Sequence, residues 1–389
     1  MRRFVVRGMG LVLPLLASIP GVAAQEETVI PDDPTPPCTI EFIPAGPELS
    51  GGVAGVLADA WPSLVAEIEL LPDGRITMAE SFSDRFFVAS PDGSGGRWVG
   101  RAGEGPGEYS FVRWAKPAGE RLHVFDPMLM RRTVLDAATL DVVRTNRLEP
   151  IHFRGDAVVL DDSSYVINGA MYTEERAGYV LHLFDGAGEV VRSFDEIPIV
   201  MPGEEPIRGG WRILEPARAG GAWSAWRSEY RIDLWNPASG VLRRSLVRNA
   251  PWFLPHNDWG GEWHPERPDN PVIADIMEDS EDRLWVVVLV ASDRWSECWV
   301  REPPSAHPEA PEYTPRAGCP RFERRIEVLD PEAGRVLAAK TLPLNFGLLR
   351  LAAGKAFSVV EEEFGPATVR QWRPALRPAN NSQGRSLAC

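Results

Sequence analysis

Four residues in one short stretch have the types that bind metal: His256, Asp258, Glu262 and His264, within Pro255-His256-Asn257-Asp258-Trp259-Gly260-Gly261-Glu262-Trp263-His264-Pro265. Two imidazoles and a carboxylate would hold zinc and leave one coordination position for an activated water. The competing reading is a solvated insertion whose polar side chains satisfy its own backbone. The stretch is too rich in turn formers for a regular helix or strand, its spacing matches no helical ligand motif, and Pro265 restricts the backbone at His264. Asp275, Asp279 and Asp282 resemble a calcium string, but the central glycine and terminal glutamate of an EF-hand loop are missing. No cofactor is expected. Calcium or another divalent ion, held by backbone carbonyls in a channel, is the metal alternative.

Acid–base chemistry needs two carboxylates facing each other across a cleft with separated pKa values. The pairs Asp161-Asp162, Glu174-Glu175, Glu204-Glu205 and the run Glu361-Glu362-Glu363 are sequence neighbours, which a strand sends to opposite faces. They are expected to be surface charge. There is no Gly-x-Ser-x-Gly elbow and no convincing Cys/His arrangement, so no catalytic residue is assigned. His123 and His182 fall on strands and are expected to be structural. Tryptophan is the unusual signal, with 14 in the chain. Trp259, Trp263, Trp295 and Trp299 are the preferred contacts for a ligand or partner, with Arg294, Asp258 and Glu262 as polar companions. Aromatic plates at a pocket mouth could stack on sugars or grip a peptide. The alternative is that they pack long loops onto the body.

The elements that would position these groups are strands. A turn, a strand, a second turn and a strand ending near Asp or Asn recur through the chain, and almost no amphipathic helical window exceeds two turns. Leu70–Gly93 is the first copy, Gly119–Asp136 the second and Ala157–Gly186 the third. Gly221–Asn236, Asp282–Asp330 and Gly354–Trp372 complete the set. The late strands at Ala89, Leu135, Phe184 and Trp235 are 46, 49 and 51 residues apart, near the period of a four-stranded propeller blade. The next interval, to Leu329, is 94 residues, stretched by insertions at 251–270 and 293–320. The expected fold is all-β: a six-bladed β-propeller of four-stranded antiparallel sheets, closed so that edge strands are protected.

The chain has 389 residues, 44% hydrophobic and 25% charged, which suits a globular fold. Its 41 basic and 55 acidic residues give a formal charge of −14, which argues against a general nucleic-acid or anionic-membrane binder. Only three of the bases are lysines, so the many arginines reflect compositional drift more than anion recognition.

Residues 1–24 have the pattern of a cleavable signal peptide: Arg2, Arg3 and Arg7, a greasy centre from Leu11 to Ile19, then Val22-Ala23-Ala24 before Gln25. Residues 25–62 form an N-terminal segment that could donate a closing strand, 63–378 the propeller, and 379–389 a C-terminal tail. No transmembrane anchor is expected after processing, and the location is periplasmic or secreted. In that oxidising setting Cys298 and Cys319 are expected to pair across the proline-rich insertion. Cys38 and Cys389 would pair if the fold brings its ends together.

The window Trp98-Val99-Gly100-Arg101-Ala102-Gly103-Glu104-Gly105-Pro106-Gly107-Glu108-Tyr109 leads to Leu122–Asp126, then Arg131 or Arg132 and Val134–Asp136. This run resembles the inter-blade signature of NHL-like and TolB-like repeats and of the bacterial six-bladed β-propeller family. The resemblance implies the fold, and Asp126 resembles the repeat's strand-end aspartate. Propellers of this shape include binding scaffolds, hydrolases and lyases, so the activity is left open. Physically, the loop reads as a structural connector, since it lacks the Gly-Lys-Ser/Thr ending of a phosphate loop.

The expectation is an exported, monomeric propeller that binds an envelope protein, peptide or glycan, with the two insertions forming a lid or rim that carries the contacts. The alternative is a hydrolase or lyase, carbohydrate-directed, using acidic and histidine side chains in the central funnel.

Overall fold

A blade's middle strands are covered on both faces by the blades beside it, so they carry continuous apolar runs instead of alternation. Phe86-Phe87-Val88-Ala89 and Leu284-Trp285-Val286-Val287-Val288 are such runs, buried at every residue. In a computed structural model of the chain, residues 26–32, 35–50, 61–63, 65–161, 163–197, 210–256, 264–302, 312–316, 319, 321–343, 346–360, 366–379 and 389 are described.

Strands β1 (Glu26–Ile30) and β2 (Cys38–Pro44) come first. Blade I is β3 (Val65–Leu70), β4 (Ile76–Glu80), β5 (Phe86–Ala89) and β6 (Arg97–Val99). Blade II is β7 (Trp114–Ala118), β8 (Arg121–Asp126), β9 (Arg131–Asp136) and β10 (Val142–Arg147). Blade III is β11 (His152–Asp161), β12 (Ser164–Ala170), β13 (Tyr179–Phe184) and β14 (Val190–Glu196). Blade IV is β15 (Arg212–Pro216), β16 (Ala222–Trp226), β17 (Arg231–Asn236) and β18 (Val241–Arg248). Blade V is β19 (Val272–Glu278), β20 (Leu284–Ala291), β23 (Phe322–Asp330) and β24 (Arg335–Leu342). Between its second and third strands stands a hairpin of β21 (Trp299–Arg301) and β22 (Tyr313–Pro315). Blade VI is β25 (Leu348–Ala352), β26 (Lys355–Val360) and β27 (Thr368–Pro378), with β2 as its outermost strand. The fold is the expected all-β, six-bladed propeller of four-stranded antiparallel sheets.

The first strands β3, β7, β11, β15, β19 and β25 touch one another in a closed circle around the axis. Six apolar clusters fill the six gaps between successive blades, the last joining blade VI to blade I through Phe357, Val359, Ile76 and Phe87. Outermost strands are polar where they meet solvent, as in Val142-Val143-Arg144-Thr145-Asn146-Arg147.

The ring is closed by the N-terminal segment. β2 pairs antiparallel with β27 from Cys38↔Pro378 to Pro44↔Trp372, and Cys38 is disulfide-bonded to Cys389. Residues 38–44 of the N-terminal segment thus supply the closing strand. β1 pairs parallel with β18, adding a fifth strand to blade IV, and Arg248 reaches Asp32 at 2.7 Å where the segment passes on toward blade VI. Cys298 is bonded to Cys319, fastening the base of the blade V hairpin.

The Gly-rich run links blade I to blade II as a connector. Glu108 accepts a hydrogen bond from the Gly105 N–H at 2.8 Å and pairs with Arg101, while Arg131 donates to the carbonyls of Glu104, Gly105 and Glu108. Glycine is required at 103, where φ is +147° and a Cβ would collide with the Glu108 carboxylate. Asp126, 1% exposed, accepts from four backbone N–H groups: Ser110, Phe111, Met128 and Leu129. It ties the connector to the loop after its own strand. Asp126→Ala should lower the unfolding free energy by about 2 kcal/mol, because four part-buried backbone donors lose their shared acceptor. Asp126→Asn should lose less; equal losses in urea titrations would show that the charge and second acceptor oxygen do not matter.

Candidate functional site

Each inner strand begins at the same end of the channel, and there each blade sends a charged side chain toward the axis. Glu67 and Glu69 come from β3, Lys116 from β7, Asp156 from β11, Glu215 from β15, Asp275 from β19 and Arg350 from β25. In blades I, III and V the pairing register shifts at the acid, between Val65 and Glu67, across Phe153 to Ala157 around Asp156, and between Ile273 and Asp275. A bulge re-aims the side chain that follows it and frees backbone groups. Neighbouring blades satisfy those groups. Arg350 donates to the Ala66 carbonyl at 2.9 Å and Arg113 to the Arg154 carbonyl at 3.0 Å. Asp156 accepts from the Leu214 N–H at 3.2 Å and Asp275 from the Leu351 N–H at 2.7 Å.

Lys116 is the central cation. Its Nζ lies 3.0 Å from Glu69 and 3.4 Å from Asp156, and it also contacts Glu67. Burial pulls its pKa down, but Asp156, Glu67 and Glu69 outweigh that and hold it well above the ordinary lysine value. Lys116 is therefore a fixed positive charge, neither nucleophile nor base. Burial pushes Glu67 up to about 7 despite Lys116, and Asp275 up to about 6 despite Arg350. Burial also raises Glu69, and raises Glu215 strongly, with Glu69 and Asp275 adding to the effect. Near neutral pH the cluster holds protons that are readily exchanged.

Apart from Glu215, these groups form the floor of a cavity of about 280 Å³ with a second kind of wall. Phe82, Phe111 and Trp114 line one side. Phe82 is 89% exposed, adopts φ +62°, and stacks on Phe111 with centroids 5.7 Å apart. Arg113 lies over the Trp114 ring at 5.0 Å. Charged floor and aromatic rim together suit an amphipathic ligand.

The residues singled out in the sequence lie elsewhere. Asp258, Trp259, Glu262 and Trp263 fall outside the described residues. His264 accepts from the Glu266 N–H at 3.1 Å and its ring meets Tyr313 edge-on at 5.0 Å; His256 Nδ1 is 3.3 Å from the Leu254 carbonyl oxygen. Among the described residues no group of three His, Cys, Asp or Glu side chains is arranged to hold a metal ion. Trp295 and Trp299 are 2% and 6% exposed, packed on each other at 4.9 Å, with Trp295 also against Phe322. They fasten the insertion to blade V and present little surface to a ligand. Arg294 is half exposed and paired with Glu297. Trp295 Nε1 donates to the His264 carbonyl, tying the two insertions together. Both insertions leave the sheet at the cavity's end, one between β18 and β19 and the other between β20 and β23, yet the cavity lining comes from the blades. Asp279 is structural, accepting from Arg283 and Trp285. His123 and His182 are fully buried and held neutral, lowered to about 3 and about 4, chiefly by burial.

The pocket residues left a faint trace in the sequence: one or two charges inside short apolar strands, as in Val65-Ala66-Glu67-Ile68-Glu69-Leu70, Val272-Ile273-Ala274-Asp275-Ile276-Met277 and Leu348-Leu349-Arg350-Leu351-Ala352. Most copies of the repeat as framed above begin at the turn after the inner strand, so those strands drop out of the unit.

Similarity to known structures extends over the fold. A member of the DUF4221 family from Bacteroides vulgatus superposes with a TM-score of 0.57 at 9% identity, covering 88% of this chain and 99% of its own. A protein of Bacteroides fragilis named as exported superposes with a TM-score of 0.53 at 11% identity, covering 91% and 99%. No family model and no curated protein matches the sequence.

Lys116→Met should cost about 3 kcal/mol at pH 8, because three enclosed carboxylates lose their cation. The raised acids bind more protons folded than unfolded, so stability falls as pH rises from about 4.5 through 7. That fall should be steeper in the variant, and the two curves should converge toward pH 4.5. A pH-independent difference in guanidinium titrations would show that Lys116 acts through packing alone.

Proposed function

We propose that the protein is an exported β-propeller that binds a ligand or partner of the cell envelope in the acidic pocket at the mouth of its central channel. The observation that carries this reading is the convergence of charged side chains from five of the six blades on a cavity whose rim carries the exposed Phe82. A scaffold whose channel served only to pack would fill it with apolar side chains, since unpaired buried charge is costly. Export is supported by the Arg2-to-Ala24 pattern and the two disulfides, and one structural neighbour is itself named as exported.

One observation favours a second reading. Glu67, raised to about 7 beside other carboxylates, could give or take a proton at neutral pH, as a hydrolase or lyase requires. Such an activity would follow a pH profile with a limb near that value and be abolished in Glu67→Gln.

Ala274 lines the cavity, and Ala274→Phe would place a ring in it without altering its charges. A thermal-shift screen of amines, amino acids and oligosaccharides should raise the melting temperature of the wild type and leave the folded Ala274→Phe variant unmoved. Equal shifts in both proteins would place binding away from the channel.

A further inference from the structure

The two ends of this propeller differ in a way that the pocket alone does not explain. Antiparallel four-stranded blades put the loops between second and third strands, and the connections between blades, at the end where the inner strands begin. The remaining turns within the blades lie at the opposite end. Among the described residues, Phe82, Met128, Tyr172, Leu254 and Val300 are large apolar side chains exposed by 89%, 70%, 80%, 67% and 42%, and all five lie at the pocket end. Phe82, Met128 and Tyr172 occupy corresponding loops of blades I, II and III; Val300 stands in the hairpin of blade V and Leu254 in the connection from blade IV. The other exposed large apolar residues are valines on the blades' outermost strands and on β1, and none sits in the turns of the opposite end.

Several of these side chains are held on fixed backbone. Asp126 accepts from the Met128 N–H, Phe82 is stacked on Phe111, and Val300 follows the disulfide-bonded Cys298 within two residues. Presenting apolar groups on a rigid frame removes ordering cost from association. The cavity between the loops is lined by five carboxylates (Glu67, Glu69, Glu80, Asp156 and Asp275) against three cations, Arg113, Lys116 and Arg350.

We infer that this face docks a polypeptide that inserts a basic side chain into the pocket while its apolar neighbours rest on the surrounding loop tips. The inference depends on the pocket reading above and names the occupant. A partner must reach loops of blades I, II, III and V at once, which exceeds the span of a small ligand. Methionine, tyrosine and phenylalanine around a desolvated centre are the composition of protein-binding surfaces. The excess of acids in the pocket selects a cation, and the formal charge of −14 works against anionic lipid. Burial raises Glu69, Glu215 and Asp275, with repulsion from neighbouring acids adding to it, and a bound cation would offset that repulsion.

The test is to pan a random heptapeptide display library on the wild type, with Phe82→Ser/Met128→Ser/Tyr172→Ser as the counter-target. These side chains are exposed, so the triple variant should keep the wild-type melting temperature. Enriched peptides should carry Lys or Arg between apolar residues. By fluorescence anisotropy, affinity should fall about tenfold or more when the peptide's basic residue becomes Gln, in the triple variant, and in Ala274→Phe. Peptides that bind the triple variant or Ala274→Phe as tightly as the wild type would overturn the inference, as would a harmless Lys→Gln change. Binding to phosphatidylethanolamine vesicles that the triple variant loses, with no peptide enriched, would assign the face to lipid and also overturn it. If small ligands shift the wild type but not Ala274→Phe while no peptide is enriched, the docking inference falls and the pocket reading stands.

Discussion

Every blade of this propeller buries both faces against its neighbours, and that constraint governs the rest. A lone blade would expose two apolar surfaces, and a row of blades would still expose one at each end. Only closure covers them all. The sixth cluster, joining Phe357 and Val359 to Ile76 and Phe87, is physically equivalent to the other five although its halves are far apart in the chain. β2 on β27 and the Cys38–Cys389 bond exist at the seam where no turn can link the strands.

Closure also creates the channel, where six inner strands meet with their starting ends together. Side chains that face the axis have few apolar partners, and here they are charged. The bulges in β3, β11 and β19 fall in alternate blades, and at two of the three an arginine of the preceding blade bonds to a carbonyl the bulge releases. One lysine amid three carboxylates compensates only part of the charge, and protonation of the remaining acids supplies the balance. The pocket is a place where folding stability has been exchanged for polarity, which is the usual mark of a binding or reacting centre.

The fold was legible because its signal is repeated. The spacing of Ala89, Leu135, Phe184 and Trp235 marks the third strands of four successive blades, and the long step to Leu329 coincides with the hairpin and the connection inserted before it. The Cys298–Cys319 pair was expected from the proline-rich loop between them, whereas Cys38–Cys389 depended on the ends meeting, which the ring provides. The pocket was far less legible. Its members are isolated charges scattered from Glu67 to Arg350, joined only by the ring, and no local window contains more than two of them. Trp295 and Trp299 gave the opposite difficulty: their clustering was visible, but whether a tryptophan faces solvent or Phe322 depends on packing that sequence patterning does not encode. β1 was missed because Glu26–Ile30 is short, flanked by polar residues, and finds its partner, β18, more than two hundred residues away.

Blade VI takes its outer strand from residues 38–44 and its other three from 348–378. A chain that emerges in order of synthesis exposes β2 almost first and β27 almost last. During that interval β2 has no mate, and the apolar flank of blade I has no cover. Blades II to IV can assemble on one another as they appear, each from its own short segment, but the final layer waits on a contact of very high sequence separation. The slow event in maturation is thus the meeting of β2 with β27, and until then the nascent protein is a curved, open stack that would need shielding from its neighbours.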